Sequence, residues 1–152
     1  MSEVSAPPST EELAREHSAL TQEVKALESR AQTLRLTNED TSSIVEEFIE
    51  FAEHFADRLT GQIAEEEENL LPRCVPYLTA ASVSMLHRIR RQHRQLNSSL
   101  ATLREYLEMA RLSPNALDVD LVEAIYARAR TLRYSLALHM ADEQELLEHV
   151  RS

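Results

Sequence analysis

Helix breakers are so sparse in this chain that long helices are nearly the only regular structure open to it. The five prolines fall at positions 7, 8, 72, 76 and 114, and Gly61 is the one glycine. Proline removes a helical hydrogen bond and glycine adds backbone entropy, so the tracts between them are free to wind. Leu, Ala, Glu and Arg are abundant and aromatics make up 5% of the residues, which is all-α composition. With 152 residues there is enough chain for one domain whose core needs no disulfide.

Apolar spacing divides the chain into four helices. After a flexible segment over residues 1–9, Ser9-Thr10-Glu11-Glu12-Leu13 reads as a capped helix start. Leu13, His17, Leu20, Val24, Leu27, Ala31 and Leu34 then recur at three- and four-residue steps, the spacing of one helix face. The polar run Thr37-Asn38-Glu39-Asp40-Thr41 breaks the pattern. A second stripe carries Ile44, Phe48, Phe51 or Ala52, Phe55, Leu59, Gln62 or Ile63, Glu66 and Leu70, and Pro72 and Pro76 are expected to end it. A third, from about Thr79, carries Val83, Ile89, His93, Leu96, Leu100, Leu103 and Leu107 up to Ser113-Pro114-Asn115. The fourth carries Leu121, Ile125, Ala129, Leu132, Leu136, His139, Glu143 and Leu147. Long helices joined by short connections pack antiparallel, so the expected fold is an up-down-up-down four-helix bundle over residues 10–152.

The halves, about 10–72 and 79–150, repeat one another. At an offset of 76, His17 meets His93, Leu20 meets Leu96, Val24 meets Leu100 and Leu27 meets Leu103. At an offset of 77, Ile44 meets Leu121, Phe48 Ile125, Phe55 Leu132, Leu59 Leu136, Ile63 Met140 and Glu66 Glu143. One chemical letter differs on the stripe, where Gln62 stands against His139. Repeated apolar positions show that two similar helix pairs stack. A repeat that also keeps a His and a Glu on the buried face implies something held between the halves.

Helix lengths place those residues at one height. His17 lies 22 residues before the first loop's middle, near residue 39, and Gln62 lies 23 after it. His93 lies 21 residues before residue 114, and His139 lies 25 after it. At ~1.5 Å per residue, the four positions agree to about one helical turn. Gln62 with Glu66, and His139 with Glu143, are four residues apart and project from one face. Carboxylates buried in such a layer are costly unless paired or bound to a cation. His17, Gln62, Glu66, His93, His139 and Glu143 are therefore the candidate metal ligands. Mixed nitrogen and oxygen donors suit iron, manganese or zinc better than calcium. The other acids of the run Glu65-Glu66-Glu67-Glu68 are expected in solvent, because only Glu66 has the right phase.

At these residues the chain resembles the hemerythrin-like (HHE cation-binding) family. The family's pattern, a His in one helix and His-x-x-x-Glu late in the next, appears as Arg15-Glu16-His17 with Gln62-Ile63-Ala64-Glu65-Glu66. It recurs as Arg91-Gln92-His93 with His139-Met140-Ala141-Asp142-Glu143. The resemblance covers roughly residues 10 to 150. It implies two non-haem irons bridged by Glu66 and Glu143, and chemistry with oxygen, nitric oxide or peroxide. Binding or sensing such an oxidant is the first functional expectation. Catalase-like peroxide decomposition and a metal-depleted structural bundle are the alternatives. Gln62 departs from the pattern and leaves three outcomes: an open or water-filled position, a single-metal site, or another ligand such as His54. Gly61, beside Gln62, suggests a close approach, a bend or an opening.

The remaining features bound the setting. A net charge of −10, from 26 acidic and 16 basic residues, argues against nucleic acid or an anionic membrane as partner. No apolar run is long enough to span a bilayer, and MSEVSAPPST is not a secretory signal. A lone Cys74 suits a reducing compartment, so a cytoplasmic location is expected. In the Pro72–Pro76 connection that thiol is expected at the surface. Tyr126 and Tyr134 are expected to pack at the rim, and His87 and His149 to face solvent. The apolar faces suffice for one core, so a monomer or weak dimer is expected.

Overall fold

The computed structural model describes residues 10–37, 42–113 and 117–151. The expected flexible start and Ser9 cap, residues 38–41 of the first breaker, and Pro114-Asn115 of the second lie outside these. Among the described residues all regular structure is helical: α1 (Thr10–Leu36), α2 (Ser42–Glu65), a π-turn (Glu66–Leu70), α3 (Leu71–Cys74), a 3-10 turn (Val75–Tyr77), α4 (Ala80–Leu112) and α5 (Val119–Arg151).

Each long helix buries one face at alternating four- and three-residue steps. On α1 the buried residues are the seven expected, Leu13 to Leu34. Glu11 and Glu12 in its first turn oppose the positive end of the helix dipole. Val45, Ile49, Ala52, Ala56, Leu59, Ile63 and Glu66 follow the same steps, and Phe48 and Phe55 widen the face. On α4 the series is Ser82, Leu86, Ile89, His93, Leu96, Leu100, Leu103, Leu107 and Ala110. Val83 was the expected start of that stripe, but it is 38% exposed, because the alternation lands on Leu86 and Ser82 instead. Thr79 caps α4 reciprocally with Ser82, which fixes its beginning.

The helices pack in a ring, α1 against α2 and α5, and α4 against α2 and α5. Pairs across each seam run in opposite numerical order. Between α1 and α5 they are Thr21–Met140, Glu28–Arg133 and Arg35–Glu123. Between α4 and α2 with its π-turn, Glu53 pairs with Arg111, Asp57 with Arg104, and Glu67 with Arg90. Two apolar clusters fill the interior. The larger contains Leu20, Leu27, Phe55, Leu59, Leu96, Leu103, Leu132 and Leu136. The smaller contains Leu13, Leu71, Cys74, Leu86, Ile89, Leu146 and Leu147. Burying each such side chain stabilises the fold by about 1.5–3 kcal/mol.

Pro72 does not end the helical path. The chain leaves α2 through the π-turn, where the Leu71 amide donates to the Glu66 carbonyl, and winds on as α3. Proline lies at the start of both α3 and the 3-10 turn.

Candidate metal centre

Between the two apolar clusters lies a polar layer with one contribution or more from each long helical segment. His17 sits on α1 between Leu13 and Leu20, and His93 on α4 between Ile89 and Leu96. Glu66 opens the π-turn, between Ile63 and Leu71. His139 and Glu143 sit on α5, between Leu136 and Leu146. None of these five residues is more than 8% exposed. Glu66, His93, His139 and Glu143 bring one donor atom each to within 4.8 Å of one another.

Their inner atoms face each other closely. His93 Nε2 is 2.8 Å from Glu66 Oε1 and 3.1 Å from His139 Nε2. His139 Nε2 is 3.2 Å from Glu66 Oε1 and 3.0 Å from Glu143 Oε2. Glu143 Oε1 turns the other way, to His17 Nε2 at 3.2 Å. His17 therefore joins the layer at its edge, through a carboxylate rather than within the four-residue set.

An outer ring of acceptors fixes the imidazoles. Gln92 donates through Nε2 to Asp142 Oδ2 at 2.5 Å, so its carbonyl oxygen is left to accept from His139 Nδ1 at 2.9 Å. His93 Nδ1 donates to Glu67 Oε1 at 2.6 Å. With both Nδ1 atoms carrying the outward proton, each ring that gives up its inner proton presents a bare Nε2 to the centre. Glu67, expected in solvent, is half-buried and bonded to His93, whereas Glu65 and Glu68 are exposed as expected. The phase argument assumed a regular α-helix, but Glu66 and Glu67 begin a π-turn and together hold both nitrogens of His93. Gln92 and Asp142 were also missed; each adjoins a candidate ligand in the second copy, which was the available signal.

Gln62 lies beside the cluster but does not aim its carbonyl oxygen at it. Its Nε2 donates to Glu66 Oε2 at 3.0 Å and to Glu16 Oε2 at 2.7 Å. Two carboxylates fix that orientation, since an amide oxygen there would repel both. His54 is exposed beside Arg30, Glu47, Glu50 and Phe51, and so is no substitute ligand. A side chain at Gly61 would meet open space, so neither a close approach nor an unusual backbone explains it. Cys74 is fully buried rather than exposed, and burial, with Glu143 nearby, pushes its thiol up to about 11. Tyr126 packs at the rim as expected, beside Arg35, whereas Tyr134, beside Arg130, is exposed; His87 and His149 are exposed as expected.

The layer has a strong demand for positive charge. Burial opposes a charged His93, yet Glu143, Glu66 and Glu67 outweigh it and raise the ring to about 10. His139 is raised by Glu143 and Glu66 against the same burial. Burial works against the Glu143 carboxylate, but His139, His17 and His93 hold it well below 4.5. Without a metal, protons supply the charge. Two imidazole nitrogens 3.1 Å apart, and a buried Glu143 Oε2 that accepts no hydrogen bond, fit a metal cation in the place of those protons.

A helical domain with a buried His and Glu layer suited to a cation is the class that fold and site define. The chain belongs to the hemerythrin family: the Hemerythrin HHE cation binding domain matches residues 9–149. Neither curated proteins nor solved structures gave a match.

Proposed function

We propose that the chain holds a non-haem di-iron centre and uses it to bind or sense a small oxidant, oxygen, nitric oxide or peroxide. The observation that carries this reading is the way both carboxylates divide their oxygens. Glu66 Oε1 and Glu143 Oε2 face the His93–His139 pair. Glu143 Oε1 faces His17, and Glu66 Oε2 faces Gln62. Carboxylates with one oxygen on either side suit bridges between two cations. His17, His93 and His139 add nitrogen donors of the kind iron accepts. Iron, when bound, supplies redox chemistry toward small oxidants. The protein's own part is to orient the imidazoles through Glu67 and Gln92 and to shield the layer with apolar packing on both sides.

A cavity of about 70 Å³, lined by Glu12, Glu16, Gln62, Glu66, Asn69 and Arg73 among others, borders the layer on the Gln62 side. Its size suits a diatomic or peroxide ligand. The same cavity favours a second reading, catalase-like turnover of peroxide, because turnover needs an approach to the centre.

The reading includes an up-down-up-down bundle over residues 10–152 made of two pseudo-repeated helix pairs. The reversed order of pairs across each seam supports it, as does the recurrence of His17 and His93, and of Glu66 and Glu143, where the core divides. It also includes a cytoplasmic monomer or weak dimer, with no nucleic acid or membrane as partner. No helix among the described residues is long and apolar enough to cross a membrane.

Protein expressed with iron and purified without a metal-affinity tag should retain iron and show near-ultraviolet charge-transfer bands that shift with nitric oxide or peroxide. Oxygen release from peroxide selects the catalase-like reading. Trace iron in a fully helical preparation refutes both.

A further inference from the structure

We infer that the two metal positions are unequal: one is complete in this chain and fills first, while the other, beside Gln62, is held weakly. The inference rests on the metal-binding role proposed above and assigns its ligands.

The strong position lies among His93 Nε2, His139 Nε2, Glu66 Oε1 and Glu143 Oε2. These residues are the four whose donor atoms lie within 4.8 Å of one another. Both imidazoles are already locked, His93 by Glu67 and His139 by Gln92, so little ordering remains to be done when the ion arrives.

The weak position has His17 Nε2, Glu143 Oε1 and Glu66 Oε2 to offer. Where the second copy presents an imidazole, the first presents Gln62, whose NH2 donates to Glu66 Oε2 at 3.0 Å. A hydrogen thus already sits on an oxygen that a second cation needs. To present its own oxygen instead, Gln62 must turn its amide over. That loses both of its hydrogen bonds and sets the amide oxygen against the Glu16 carboxylate, now 2.7 Å from its Nε2.

The outer partners repeat too. Glu16 and Gln92 occupy equivalent places, each one residue before the His of its copy. Gln92 accepts from the His139 ring, and Glu16 accepts from the Gln62 amide. The same wiring therefore supports a ligand in one half and a hydrogen-bond donor in the other. The side left short of a ligand is the side that borders the cavity.

Anaerobic calorimetric titration of the metal-stripped full chain with Fe(II) tests this, with circular dichroism recording the helicity of every variant. The first ion should bind at least about 100-fold more tightly than the second, the upper end of what lost support around a metal costs. His139→Ala should remove the tight step. His17→Ala should keep it and lose the weak one. In Gln62→His, Glu16 is placed to accept from the outer ring nitrogen, and the second step should come within about tenfold of the first. Two equal ions in the natural chain overturn the inference but leave the metal reading standing. So does loss of the tight step in a helical His17→Ala protein, or an unchanged isotherm in Gln62→His. No binding at all by the helical natural chain overturns the proposed function itself, and the inference with it.

Discussion

Glu67→Ala isolates what it is worth to hold His93 by its outer nitrogen. The side chain touches the His93 ring at Nδ1, 2.6 Å away, on the side opposite Glu66. Without that acceptor the ring can carry its proton on either nitrogen, and only one of those forms offers Nε2 to a metal. Removing such a partner weakens metal binding by about 10- to 100-fold, which is ~1.4–2.7 kcal/mol. The His93 side chain is 2% exposed, so solvent is poorly placed to replace the lost acceptor. The Glu67 side chain is 34% exposed and its other oxygen lies 3.6 Å from Arg90, so part of its charge is already screened or shared. These opposing effects place the expected loss near the middle, about 30-fold. Competition against a chromogenic chelator measures it. Nitrogen NMR of the zinc-loaded protein reports separately whether His93 Nδ1 still carries its proton. Glu67→Gln keeps an acceptor oxygen on a side chain of the same length and should recover most of the affinity. The reasoning fails if Glu67→Ala binds metal like the natural chain, or if Glu67→Gln is as weak as Glu67→Ala.

Three further outcomes are expected. Gly61→Ala should stabilise the protein by about 1 kcal/mol, because the added methyl meets open space in a helix; a lower melting temperature would contradict this. In the metal-free chain, His93 is raised from 6.5 to about 10, so the stability it contributes is present below pH 6.5 and lost as pH rises toward 10. Glu143, held below 4.5, contributes stability above pH 4.5 that is lost as pH falls further. Urea midpoints in chelator should therefore decline on both sides of that window, and a flat profile from pH 6.5 to 10 would refute the His93 assignment. Finally, the buried Cys74, pushed up to about 11, should react with a thiol reagent at neutral pH only as the protein unfolds; rapid labelling of the native state would show it accessible.

The sequence stripes and the structure agree along most of each regular helix, with Val83 on α4 an exception. On α1 the expected and buried residues are the same seven. His17, Glu66, His93, His139 and Glu143 were legible because stripe phase and helix length both constrain them. What was not legible came from departures from that regularity. Glu67 reaches His93 from a π-turn, which no phase count over a regular helix foresees. Cys74 is buried because the chain keeps winding past Pro72, which tucks α3 against Leu86 and Leu147. The direction of the Gln62 amide depends on two carboxylates, one from α1 and one from the π-turn. Spacing along a single helix holds no such information.

The polar layer also partitions the bundle's cooperativity. Apolar packing is continuous within each cluster and interrupted between them, and the smaller cluster has far fewer members. Without a cation, only protons and ion pairs join side chains across that interruption, although α1, α4 and α5 run through it. Amide exchange at that small end, around Leu71, Leu86 and Leu147, should then proceed by an opening of lower free energy than global unfolding. An ion held by Glu66, His93, His139 and Glu143 would tie the π-turn, α4 and α5 together at the interruption. It should bring the exchange of the small end up toward that of the large one. The metal would then act as a mechanical splice, making one folding unit out of two.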